Sequence, residues 1–136
     1  MMVEVIDFPD AEEVAKEFLR AEYTARSVDS PNAVGTKLPK NHTTDDLFTR
    51  VSRVGGESRD LVTDSPRLLV ECFGPSTVAA SDRAKITRAL MLASARLTKK
   101  VTRATEGGGV AFLPDPDTNQ PRYQFVVQLD LRGVAI

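Results

Sequence analysis

At 136 residues, 41% of them hydrophobic and 27% charged, the chain has the size and balance of one globular domain, residues 1–136, and not those of a disordered protein. A formal net charge of −1 supplies no global basic field of the kind nucleic-acid binders present, so any such contact needs a local patch. No apolar run approaches the roughly 20 residues that cross a bilayer, Met1-Met2-Val3-Glu4 lacks the pattern of a signal peptide, and the single cysteine, Cys72, leaves no internal disulfide and no multi-cysteine zinc site. Synthesis in a cytoplasm, with no membrane partner, is expected.

In chain order, Asp7-Phe8-Pro9-Asp10-Ala11-Glu12-Glu13 predicts a helix start: a capping residue, a proline near N1, and acids in the first turn that suit the positive end of the helix dipole. The helix is expected to run to about Arg26, with Ala11, Val14, Phe18, Ala21 and Ala25 as its buried stripe. Ser27 to Asp46 is polar and turn-rich, apart from a short extended segment in Ala33-Val34-Gly35-Thr36-Lys37-Leu38. A strand follows from Leu47 to Val54, closed by Gly55-Gly56, then a polar stretch from Glu57 to Ser65, then a strand from Arg67 to Phe73 ended by Gly74-Pro75. These two polar stretches are long for ordinary connections and are expected to be mobile until a neighbour orders them.

Ser76 or Thr77 caps a second predicted helix of roughly 20 residues, whose buried side reads Ala79, Asp82, Ile86, Ala89, Leu90, Ala93 and Leu97. The last third is a long hairpin. Gly107-Gly108-Gly109 interrupts its first strand as a bulge, Pro114 to Pro121 forms its loop, and Tyr123, Phe125, Val127, Leu129 and Leu131 alternate along its second strand. The order predicts an α+β domain with a mixed, mainly antiparallel sheet and two helices packed on one face. Its core is expected to contain Phe18, Leu69 or Val70, Ile86, Leu90, Phe125 and Val127.

No catalytic constellation stands out. The only histidine, His42, lies in a polar loop, and there is no phosphate loop, zinc helix or nucleophile elbow. Asp115-Pro116-Asp117-Thr118-Asn119 begins like a calcium loop, but Gln120 and Val126 stand where the turn glycine and the bidentate glutamate belong. No catalytic residue, metal ligand or cofactor is assigned. One charge feature rises above background: from Arg83 to Arg103 there are seven basic residues and no acid. Helical spacing puts Lys85, Arg88, Arg96 and Lys99 on one face, a surface for DNA phosphates or an acidic partner. The acids of the first helix compete for the same cations, within or between subunits.

Ala33-Val34-Gly35-Thr36-Lys37-Leu38-Pro39, Phe48-Thr49-Arg50-Val51-Ser52-Arg53-Val54-Gly55-Gly56, Leu68-Leu69-Val70-Glu71-Cys72-Phe73-Gly74 and Pro121-Arg122-Tyr123-Gln124-Phe125-Val126-Val127 follow one another in an order and spacing that resemble the tail-terminator proteins of actinobacterial siphophages. The resemblance covers nearly the whole chain. It implies a virion protein, located in the tail, whose six copies close into a ring that stops tail-tube polymerisation and joins the tail to the head-side connector. The implied partners are other copies of the chain, the tail tube protein, the connector and genome DNA in the lumen. A ring needs two different complementary surfaces, and Arg50, Arg53, Arg59 and Asp60 are the residues assigned here to contacts between subunits. The other class left open is a non-catalytic α+β module that binds a small molecule or a protein.

Overall fold

The computed structural model describes residues 3–136; the Met1-Met2 part of the opening segment lies outside them. Asp10 starts the first helix, its carboxylate accepting from the amides of Glu12 and Glu13 at 2.9 and 3.2 Å, so Pro9 falls just before the cap. The helix, α1, spans Ala11–Ala25, after a two-residue strand, β1 (Ile6–Asp7). Then come β2 (Val34–Gly35), β3 (Phe48–Gly55), β4 (Thr63–Asp64), β5 (Arg67–Phe73), α2 (Thr77–Leu97), β6 (Val101–Phe112), β7 (Arg122–Arg132) and β8 (Val134–Ala135). Ser76 caps α2 through Ala79 N at 3.1 Å.

The fold is α+β. Its main sheet has the order β2-β3-β5-β7, with β6 on the far edge of β7 and β4 continuing the line of β5; only β2 and β3 are parallel. A separate pair, β1 with β8, joins the two ends of the described chain. Alternation divides the sheet into two faces. Val51, Leu68, Val70, Phe125, Val127 and Leu129 point into the core, where α1 packs on β2 and β3, and α2 on β5, β6 and β7. The opposite face, which includes Arg50, Glu71, Gln124 and Gln128 in adjacent registers, has no helix over it among the described residues.

Both helices sit at a different phase from the one expected. In α1 the buried residues are Ala11, Val14, Ala15, Leu19 and Tyr23; Phe18 is half-buried, and Ala21 and Ala25 are exposed. In α2 they are Ala80, Arg83, Ala84, Thr87, Leu90, Met91 and Ser94, whereas Asp82, Ala89 and Leu97 face out and Ile86 is half-buried. The reason is chemical. The polar residues on the true inner side of α2 satisfy their own hydrogen bonds: Thr87 donates to Arg83 O and Ser94 to Met91 O, each at 2.6 Å, so burial does not leave them unpaired. Val70, Leu90, Phe125 and Val127 are buried as expected.

β6 runs through the three glycines with register shifts on both sides of Gly108, as a bulge would require. The Glu57–Ser65 stretch is built in, not loose: Ser65 N donates to Glu57 O at 3.1 Å and Arg59 N to Thr63 O at 2.8 Å, forming a small turn that extends the β3–β5 hairpin.

Candidate functional site

Segment 29–46 packs against the sheet because two buried side chains hold it. Arg83 is 3% exposed and has no carboxylate partner among the described residues. Its guanidinium donates to Asp29 O at 2.7 Å, Ser30 O at 3.2 Å, Ala33 O at 2.9 Å and Thr49 Oγ1 at 2.8 Å, and lies 4.8 Å from the centre of the Tyr23 ring. The Tyr23 hydroxyl joins Thr49 and Thr87. Since Thr87 gives its proton to Arg83 O and Thr49 accepts from Arg83, hydroxyl stoichiometry closes a cycle: Arg83 to Thr49 to Tyr23 to Thr87 to Arg83 O. The second anchor is Gln120, 2% exposed, whose amide donates to Asp46 O at 2.9 Å while its Oε1 accepts from His42 Nε2 at 2.9 Å. His42 lies edge-on to Phe48 and Phe73. Sole histidine though it is, it fastens a loop.

The arginines assigned to subunit contacts are each engaged inside the subunit. Arg50 clamps Glu71 at 2.9 and 2.8 Å, and Arg122 reaches the same carboxylate at 3.0 Å. Arg53 forks onto Asp64 at 2.7 and 2.9 Å, and Arg59 meets Asp130 at 2.8 Å beside the Ser65 hydroxyl. The three carboxylates are buried, so these arginines neutralise charges that the sheet itself encloses. Asp60 accepts from Val62 N at the tip of the small turn. An open cleft of about 530 Å³ on the bare sheet face is lined by Arg59, Arg103, Gln128 and Asp130 among others.

The predicted basic face of the second helix is only partly a face. Lys85 and Arg96 are exposed on α2, Arg88 pairs with Glu106 of β6 at 2.8 Å, and Lys99 lies beyond the end of α2, in the turn before β6. Lys100 beside it, also beyond α2, reaches Glu17 of α1 at 3.4 Å, so this pair ties α1 to the turn and not to the second helix. In the hairpin loop, burial opposes the charge of Asp115, but the Thr118 and Asp117 amides, the Thr118 hydroxyl and Arg122 outweigh it and hold the carboxyl below its ordinary range. Those bonds make it a turn residue. Among the described residues no three His, Cys, Asp or Glu side chains gather as a metal site, and no helix is long and apolar enough to cross a membrane.

Sequence reasoning missed Arg83, and the signal was present: it is the one cation of the basic run at the i−4 position to a threonine and the i−7 position to Leu90. Burial also governs the two remaining ionisable groups of the core. It pushes the Tyr23 phenol up to about 12 and the Cys72 thiol up to about 11. Both are acids kept neutral by the fold, and they ionise near 10.0 and 9.0 once the chain opens. Their contribution is therefore complete below pH 9 and is lost as pH rises through 11 for Cys72 and 12 for Tyr23, on the order of 3 kcal/mol each. The urea midpoint should hold between pH 7 and 9 and fall steeply by pH 11; a midpoint flat to pH 11 would contradict this burial.

No protein-family model matches the chain, and no curated protein matches it.

Proposed function

We propose that the chain is a structural, non-catalytic ring subunit of a siphophage tail, which ends tube polymerisation and joins the tail to the head-side connector. The reading rests on the order and spacing of the four resembling segments. The observation that supports it is where the polar chemistry lies. Arg50, Arg53, Arg59, Arg83 and Gln120 are all spent on holding strands and loops together, and Cys72 and Tyr23 are sealed in the core. The outward surface instead carries uncovered apolar residues at both ends of the long β6–β7 hairpin, among them Phe112, Leu113 and Val134, as an assembling subunit requires. In this reading the partners are neighbouring copies, the tube protein and the connector. Lys85, Arg96 and Lys99 are the exposed members of the basic set and would be the contacts to genome DNA. Tail length in particles made without the chain tests the function.

A further inference from the structure

The two ends of the β6–β7 hairpin differ in a complementary way. At the turn, Val110, Phe112 and Leu113 are 41%, 45% and 46% exposed, and they lead into a loop whose Asp117 is exposed and has no side-chain partner among the described residues. At the opposite end, an apolar groove of about 380 Å³ is lined by Pro9, Val14 and Val134, with Lys99, Lys100 and Arg132 around them. Val134 is 64% exposed there. The small turn that carries Leu61, 89% exposed, is tied to the backbone of this groove where Gly133 N donates to Val62 O at 2.7 Å.

The geometry points to a head-to-tail contact in which the hairpin turn of one copy, Leu113 to Asp117, seats in the Val14–Val134 groove of the next. This rests on the ring reading and specifies its interface. The occupant follows from chemistry and distance. An apolar knob followed by a carboxylate fits an apolar groove flanked by three cations, since the apolar contact leaves water while Asp117 meets ammonium or guanidinium groups at the rim. The knob cannot fill its own groove: the ends of β6 pair with Tyr123 and Leu131 of β7, eight residue steps that at strand rise place them about 26 Å apart. A contact between unlike surfaces at opposite ends propagates from copy to copy and closes when the rotation allows. Lys99, read from the sequence as part of a helix face, becomes part of this socket through its place in the turn.

Cysteine pairing tests the contact, and the enclosed Cys72 thiol does not interfere with it. Leu113→Cys and Val134→Cys, both at exposed positions, are made singly and together. They are oxidised with oxidised glutathione at millimolar chain concentration, after equal thermal midpoints show that each variant is folded. Mixing the two single variants should give a disulfide dimer that neither gives alone. The double variant should give a ladder that stops at one size, and Asp117→Lys in that background should reduce the yield several-fold. Dimers formed only within each single variant, or no bond in the mixture, would overturn the contact. If the chain is nevertheless found at tail ends, only this contact fails; if tails form normally without the chain, the ring reading fails with it.

Discussion

Arg83→Met should lower stability by about 3–5 kcal/mol. The side chain is 3% exposed, and its loss leaves the Asp29 carbonyl and the Thr49 hydroxyl without their donor, while the Ser30 and Ala33 carbonyls lose one of two donors and keep Ala33 N and Thr49 N. Methionine replaces much of the volume and none of the bonds. Arg83→Lys keeps the charge but cannot reach four acceptors from one ammonium, so its loss should fall between those of wild type and Arg83→Met. The opposing term is the desolvation of a buried cation, and where that dominates, an apolar replacement is neutral or stabilising. The four acceptors and the Tyr23 ring are the reason it does not dominate here. Urea denaturation reads the result directly, and hydrogen exchange should show segment 29–46 opening in the variant at denaturant-free conditions. A midpoint equal to or above that of the wild type would show that the cation is tolerated in the core, not holding it.

Leu90→Ala should cost about 2–5 kcal/mol, because the side chain is 4% exposed and lies between α2 and the sheet, where the surroundings cannot collapse fully into the gap. The informative control is Leu97→Ala. Leu97 belongs to the stripe that simple periodicity would bury, yet it is 43% exposed, and its truncation should change stability by less than about 0.5 kcal/mol. Large losses for both would mean that α2 is rotated toward the phase its apolar residues suggest.

That contrast marks how far the sequence was legible. β7 was plain because it alternates cleanly, with Phe125, Val127 and Leu129 facing one way; β5 was legible as a strand, but with Leu69 and Phe73 on its other face its phase stayed open between Leu69 and Val70. The helix starts were plain because Asp10 and Ser76 are good caps with the right neighbours. The phase of α2 was not, because its inner side carries Arg83, Thr87 and Ser94, which periodicity counts as outward and hydrogen bonding makes inward. The short β1 and β8 have too few residues to show a period. The pairings of Arg50, Arg53 and Arg59 were hidden for another reason: their carboxylates, Glu71, Asp64 and Asp130, are distant in sequence or brought close only by strand register. Reversing Arg50 or Arg53 would strand a buried acid, so such variants report on folding and cannot isolate an assembly defect. The exposed pair Leu113 and Val134 avoids that confusion.

Tail length measures the proposed role most directly. If the proposed role holds, electron microscopy of the particles this chain is proposed to belong to should show tails of overlong, variable length without heads when the gene is deleted. Supplying the wild-type chain in trans should restore one length and head attachment. Tails of normal length that join heads in the absence of the chain would contradict the account.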